Sequence, residues 1–313
     1  MRELDLLQHV YAANASLPTG VTIPPGDDMG AVRAPSGQVL ITVDQVAQGV
    51  HVDLATASLE QVGRKAITRN LSDVAAMAAQ PMAAVVAASL PRDFDTPRVN
   101  RLFDAMRQTA GAFACPLVGG DISIWDGPLI LTVTILAEPA GIEPVRRSGS
   151  QAGDAIYVTG ALGGSLETVD GYTHHLDFTP RLALARRLAG DPATRPHAMI
   201  DLSDGLARDL AHLCDASGLR AEVLAQQLPL SRGALQAAQR TGQPAWRHAV
   251  GDGEDYELLF TASPDREMPA SIEGVPITRI GTMLPAGEPP MVGLRLPDGS
   301  MVDLTPLGWE HRA

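Results

Sequence analysis

Cysteine is nearly absent from this chain: 313 residues contain two, Cys115 and Cys214, in no C-x-x-C arrangement. No disulfide framework or thiolate metal cluster can be built from them, and each reads as a small buried apolar residue in a reducing compartment. Aromatics make up 4%, so Ala, Val and Leu must fill the cores. Positive charge is also short, with 24 Lys and Arg against 36 Asp and Glu and a formal net charge of −12. Nucleic acid and anionic membrane surfaces select a basic footprint, so neither is expected as a partner. An anionic ligand would need metal cations as intermediaries. Long apolar runs are missing too. The longest, PMAAVVAASLP at 81–91, is about half of what a membrane-spanning helix requires. The amino terminus, MRELDLLQHVYAA, is too acidic and too poor in apolar run for a signal peptide. A cytoplasmic location is expected, which makes the sequon Asn14-Ala15-Ser16 incidental.

Several catalytic signatures are missing as well. There is no G-x-x-x-x-G-K-[ST] phosphate loop, no protein-kinase H-R-D…D-F-G set, no G-x-S-x-G elbow, no H-E-x-x-H, and no D-x-D-x-[TV] after a strand.

What remains is an alternation of strand-like and helix-like segments, long enough for two domains. QVLITVDQV (38–46), MAAVVAASL, PLVGGD, LILTVTILAEP, AIYVTG (155–160) and YELLFTA (256–262) read as strands. Residues 58–80 carry apolar positions at helical spacing, and helices are also expected over 96–114, 180–190 and near 233–241, the second opened by Thr96 and Pro97. A β-rich tail ends the chain, with Asp298-Gly299 as a hairpin signal. The polar connector EPVRRSGSQAG (143–153) is the best domain boundary. The fold class expected is α/β (α+β) in two domains, 1–146 and 147–313.

Acids recur beside glycines at strand edges: Gly26-Asp27-Asp28, Asp44, Asp73, Gly119-Gly120-Asp121, Asp201 with Asp204, and Gly251-Asp252-Gly253-Glu254-Asp255. Taken singly, each is a helix cap or a turn more readily than a ligand. As a set they are harder to dismiss, because Asp44 and Asp201 each follow an apolar run, where α/β sheets form sites. Hard cations such as Mg²⁺ take carboxylate and carbonyl oxygens together with phosphate. One internal echo adds to this: Leu-Ser-Asp occurs at 71–73 and again at 202–204, each on a helix-forming segment. His174-His175 reads as a solvated loop, and His51 as a structural histidine as readily as a ligand. Residue types and spacing alone thus reach a two-domain α/β protein that binds Mg²⁺ and a phosphorylated ligand.

GDDMGAV (26–32), ITVDQVAQGVHV (41–52), RKAITRNLSDVAAMAAQP (64–81), GGDIS (119–123), RRSGSQAGDAIYVTGALGGS (146–165), MIDLSDGLARDL (199–210) and GDGEDYELLF (251–260) occur in that order across nearly the whole chain. Together they resemble the thiamine-monophosphate kinase family, within the superfamily of aminoimidazole ribonucleotide synthetase and selenophosphate synthetase. The closing GWEHR (308–312) is similar to the family's terminal aromatic segment. The resemblance implies ATP-dependent phosphorylation of thiamine monophosphate to thiamine diphosphate, with several Mg²⁺. It also implies an N-terminal domain that dimerises through its sheet, with ATP in a cleft against a C-terminal α/β domain. Asp27, Thr42, Val43, Asp44, Asp73, Asp121, Asp201 and Asp204 match its metal positions. Phe103, Gly120, Asp121, Arg147 and Ser203 match nucleotide contacts, and His51, Glu254 and Trp309 match substrate contacts. Val43 replaces a commoner threonine, so only its carbonyl could serve a metal. Gln48 stands where glutamate is usual, Phe103 where tyrosine is, and Ile122-Ser123 where Thr-Thr is. An aminoimidazole ribonucleotide synthetase-like enzyme and a non-catalytic nucleotide-binding relative are the competing readings.

Overall fold

The computed structural model describes residue 17 and residues 20–23, 31–33, 37–289 and 291–309. They form two compact units, one within Met1–Val74 and Ala79–Pro139, the other Ala75–Ala78 with Ala140–Ala313. In chain order the first unit carries β1 (Val21–Ile23), β2 (Ala31–Val32), β3 (Leu40–Ala47), α1 (Leu59–Ala76), β4 (Ala79–Pro91), α2 (Thr96–Ala112), β5 (Leu117–Trp125) and β6 (Ile130–Pro139).

Local chemistry starts each helix of this unit. Ser58 Oγ accepts from Gln61 N–H at 3.2 Å while Gln61 Oε1 accepts from Ser58 N–H at 3.1 Å, a reciprocal capping box for α1. The cap of α2 is Asp95, which accepts from Arg98 N–H at 3.0 Å. Thr96, expected as the cap, lies just inside the helix, with Pro97 in the first turn. The two helices approach closely at Gly63, where a Cβ would sit 2.8 Å from Leu102 O. Strands run β3-β6-β4-β5, antiparallel except for β4 with β5. Val46, Val86, Val133, Ile135 and Leu131 are buried on the face toward the helices. The opposite face leaves Ile41, Val43 and Val85 exposed.

The second unit carries β7 (Ala155–Thr159), β8 (Thr168–Val169), β9 (Tyr172–Thr173), α3 (His174–Asp177), α4 (Leu182–Gly190), β10 (Ala198–Asp201), α5 (Leu206–Ser217), β11 (Arg220–Leu224), α6 (Arg232–Thr241), α7 (Ala245–Gly251), β12 (Leu258–Ala262), β13 (Ser271–Ile272), β14 (Val275–Leu284), β15 (Val292–Arg295) and β16 (Met301–Asp303). Its main sheet runs β10-β12-β7-β14-β11-β15-β16, with β11 and β15 as the parallel pair. Leu206, Leu210 and Leu213 of α5 pack on Ile200, Leu259, Ile280, Met283 and Leu294. Each buried leucine of that kind contributes about 1.5–3 kcal/mol. Gly218, at φ 67°, closes α5 in the left-handed conformation. The Asp298-Gly299 signal does mark a hairpin, between β15 and β16. Cys115 and Cys214 are buried free thiols, and burial pushes both up to about 12.

No helix among the described residues is long and apolar enough to cross a membrane.

Gly120 of β5 has no room for a side chain, since a Cβ would lie 2.0 Å from Val86 O on β4. Gly120→Ala should therefore cost about 1–3 kcal/mol through overpacking. Thermal unfolding would show a midpoint several degrees lower; an unchanged midpoint would mean that β5 can slide away from β4.

Candidate functional site

In the first unit several candidate side chains lie between β3 and one face of α1. Lys65, Arg69 and Asp73 recur every fourth residue and so line one stripe of the helix. Lys65 is the chain's only lysine and is fully buried. Its Nζ donates to His51 O at 2.8 Å. Arg69 Nε pairs with Asp44 Oδ2 at 3.0 Å, and its Nη1 donates to Gln45 O at 2.8 Å. Thr42 Oγ1 donates to Asp73 Oδ2. His51 Nδ1 accepts from Ala47 N–H at 3.1 Å, so the neutral ring carries its proton on Nε2.

Thr42 and Asp73 thus touch directly, while Asp44 and His51 are tied to the same stripe of α1 through Arg69 and Lys65. Asp44 lies inside β3 rather than after it. Val43 is 59% exposed on the opposite face, which leaves its carbonyl as the only group it can offer toward Asp44. Asp121 pairs in register with Ala87, which pairs with Thr132, and Thr132 bonds Gln45 across the sheet. Asp121 therefore belongs to the open face, away from Asp44. Phe103 is half-buried on α2 and Gly120 is exposed on β5. Gln48 accepts from Leu129 N–H at 3.2 Å, a structural use of that residue. Asp27 lies outside the described residues.

In the second unit two loops are joined by their backbones. Glu254 N–H donates to Ser203 O, Tyr256 N–H to Leu202 O, and Leu202 N–H to Glu257 O, each at 2.8 Å. Trp309 N–H donates to Asp204 O at 2.8 Å. These bonds bring Ser203, Asp204, Glu254 and Trp309 together, residues up to 106 positions apart in the chain. The fit needs unusual backbone. Gly205 has φ 100° and Gly253 φ 74°, while Glu254 and Tyr256 hold φ 57° and 49° without being glycine. Such conformations cost about 1–3 kcal/mol each and persist where surroundings enforce them.

Charge is crowded at the start of α5. Asp209 is buried and its carboxyl is pushed well above the usual range, first by burial and then by the charges of Asp201 and Asp204. Arg147 acts in the opposite direction on Asp209. Burial, then Arg147 and Arg208, lowers His212, which favours the neutral, ligating ring. Ligand atoms of Asp204, Asp209 and His212 lie within 4.8 Å of one another. Asp209 and His212 were not singled out from the sequence. Their Asp-x-x-His spacing on one helix face was the available signal.

Neither Asp201 nor Asp204 caps α5. The cap residue is Gly205, with no side-chain bond, and Asp209 Oδ2 instead reaches back to accept from Asp204 N–H at 3.1 Å.

Behind this loop lies a buried polar network. Asp255 Oδ1 accepts from Gly163 N–H at 2.8 Å and Ser165 Oγ at 2.6 Å, while its Oδ2 is buried without a partner. Glu257 takes Arg181 Nε at 2.8 Å and Thr159 Oγ1 at 2.6 Å. Tyr256 stacks on Phe178 at 4.1 Å. His174-His175 is no solvated loop. His175 Nδ1 meets Glu254 Oε2 at 3.0 Å, with side chains 12% and 19% exposed, and His174 Nε2 meets Asp255 O at 2.6 Å. Sequence reading missed this pairing because it spans 79 residues.

Residues 26–138 match the family model "AIR synthase related protein, N-terminal domain". The chain is 37% identical over 295 residues to thiamine-monophosphate kinase of Rhodopirellula baltica, covering 90% of this chain and 89% of that protein. It resembles the crystal structure of thiamine-monophosphate kinase from Stenotrophomonas maltophilia at TM-score 0.78 and 30% identity, covering 95% of each chain. It also resembles the structure of AaThiL complexed with AMPPCP and TMP at TM-score 0.75 and 30% identity, covering 100% of this chain and 99% of that one.

Asp255 gives the site a pH signature. Burial pushes its carboxyl up to about 8, against roughly 3.9 in an unfolded chain. Below pH 4 both states hold the proton. Between about pH 4 and 8 the unfolded chain releases it while the folded one keeps it, so stability falls as pH rises. In metal-free urea unfolding, Asp255→Asn should flatten that decline; slopes parallel to wild type from pH 5 to 8 would show that Asp255 is ionised in the fold.

Proposed function

Because the chain belongs to the thiamine-monophosphate kinase family, we propose that it passes the terminal phosphoryl group of ATP to thiamine monophosphate in one in-line step, yielding thiamine diphosphate and ADP. It is a kinase that uses ATP as co-substrate. The observation that carries the in-line reading is the backbone joining of Leu202–Asp204 to Glu254–Glu257 and Trp309. It holds nucleotide-type, metal-type and substrate-type residues on one scaffold. No covalent intermediate on the protein is needed, because phosphoryl transfer rests on positioning and charge neutralisation.

The donor set fits Mg²⁺: its members are mainly hard oxygens, and the carboxyls around Asp209 are crowded beyond what Arg147 offsets. In the first unit Thr42, Asp44 and Asp73 would hold it, with the Val43 carbonyl and Asp27 as the further donors. Asp121, on the other face of the sheet, would serve a separate ion, and in the second unit Asp201 and Asp204 would hold one. Mg²⁺, when bound, neutralises phosphate oxygens. Arg147, exposed and with five N–H donors in a planar fork, grips a phosphate of the nucleotide. Gly120 allows close approach of the nucleotide, Phe103 offers a ring face to it, and Ser203 a hydroxyl. Glu254, held by His175 and Tyr256 Oη, faces the cationic thiazolium of the acceptor with a fixed carboxylate. Trp309, 52% exposed, offers an aromatic face to that cation. His51 contributes its Nε2–H to the acceptor.

The open face of the first sheet supports a homodimer. Ile41 is 69%, Val43 59% and Val85 40% exposed there, apolar side chains that a second copy would cover.

Purified protein with Mg-ATP and thiamine monophosphate should form thiamine diphosphate, followed by chromatography. No product above a no-enzyme control, with ATP still bound, would sink the kinase reading. Asp44→Asn and Asp204→Asn should each lower turnover by roughly 10²-fold or more with unchanged circular dichroism; full activity in both would overturn the metal assignment. Val43→Glu with Val85→Glu should sediment as a monomer if the open face is the dimer contact, and an unchanged mass would place the contact elsewhere.

A further inference from the structure

The second unit holds a cavity of ≈ 320 Å³ that the kinase reading does not use. Glu143, Arg146, Ser148, Arg195, His197 and Arg266 stand in its wall. Its charge is lopsided. Arg195 and Arg266 are half-buried. Their partners among the described residues are backbone carbonyls: Arg195 Nη2 donates to Glu143 O at 3.3 Å, and Arg266 Nη1 to Arg195 O. Arg146 meets only Glu143, in an ion pair of 3.3 Å whose side chains are each 67% exposed. A pair so exposed is weak. The nearby Asp154 carboxylate is taken by His197 Nδ1 at 2.9 Å. Among the described residues three guanidinium groups of the wall therefore share one solvated carboxylate, in a chain of net charge −12. Each guanidinium stays charged and brings five donors, most of them unused by those bonds.

The wall is built rather than accidental. Met199 N–H donates to Arg146 O at 2.9 Å, and His197 N–H to Thr261 O at 2.8 Å, so the Arg146 segment is tied along β10 and β10 to β12. Gly149, at φ 122°, lets the two sides close, since a Cβ there would lie 2.6 Å from His197 O. The cavity sits at the start of β10 and Asp201 at its end, about 13 Å away at some 3.3 Å per residue. A group held here is thus separate from one held at Asp201 and Asp204. Arg147, although next in sequence to Arg146, acts on Asp209 and His212 instead.

We propose that this cavity binds a diphosphate group, either free inorganic diphosphate or one carried by an organic molecule. The arginine fork matches phosphate oxygens two at a time. A single carboxylate would satisfy one fork, whereas a diphosphate has the charge and the oxygens for all three.

Calorimetric titration of the full chain with inorganic diphosphate, in EDTA at matched ionic strength, tests this. One saturable site is expected in wild type. Binding should be at least tenfold weaker in the Arg195→Gln, Arg266→Gln double variant, with its melting midpoint checked alongside. The exposed Arg146→Gln should weaken it severalfold without touching the fold. Arg147→Gln and Asp204→Asn should bind as wild type does, so this proposal and the kinase reading fail independently. Competition by ADP or thiamine diphosphate in the Arg147→Gln background would identify the organic source, and its absence the free anion. No saturable binding, equal affinity in the double variant and Arg146→Gln, or loss of binding in Arg147→Gln would each overturn the proposal.

Discussion

The site of the second unit hangs on four backbone hydrogen bonds, which hold Leu202, Ser203 and Asp204 against Glu254, Tyr256, Glu257 and Trp309. Backbone amides do this better than side chains here, because they fix where the chain runs while leaving carboxylates and hydroxyls for chemistry. Their geometry forces Glu254 and Tyr256 into positive φ. What offsets that strain lies directly behind them. Asp255 and Glu257 anchor the loop through Gly163, Ser165, Thr159 and Arg181, and Tyr256 stacks on Phe178. The buried network belongs to the site for this reason, although it offers nothing to a ligand.

The two units treat the same electrostatic problem differently. In the first, Asp44 already has a cation beside it in Arg69, and Thr42 meets Asp73. In the second, burial and the charges of Asp201 and Asp204 push the Asp209 carboxyl well above its usual range, with Arg147 acting in the opposite direction. Carboxylates collected in this way without equal positive charge cost stability unless a cation joins them. Added positive charge beside Asp209 would relieve that crowding.

Much of this was legible in the sequence, and the reasons for the remainder are physical. Periodicity and apolar runs located α1, α2, α4 and α6 and the strands β3, β4, β5, β6, β7 and β12, while β11 was not recognised as a strand. The expectation of an acid at a strand end holds for Asp201, the last residue of β10, and fails for Asp44, which lies mid-strand in β3. The Leu-Ser-Asp echo joins unlike settings: Asp73 is inside a helix, whereas Asp204 lies in a loop between β10 and α5. His174-His175 looked solvated because its partners, Glu254 and Asp255, arrive from far along the chain. Local pattern carries no information about such contacts.

The acids at the start of α5 make the same point at the scale of one turn. From sequence, Asp204 just before a helix reads as its cap. Folding gives that place to Gly205, whose φ of 100° no aspartate adopts cheaply. The carboxylate that bonds back across the helix start comes from within the helix, from Asp209 onto Asp204 N–H. A side chain committed to capping cannot also present both oxygens to a ligand. By assigning the backward bond to a buried residue and the turn to a glycine, the chain keeps the Asp204 side chain out of its own scaffold while Asp204 O anchors Trp309. The helix start is thus closed by Gly205 and Asp209, and the Asp204 side chain is not what caps it.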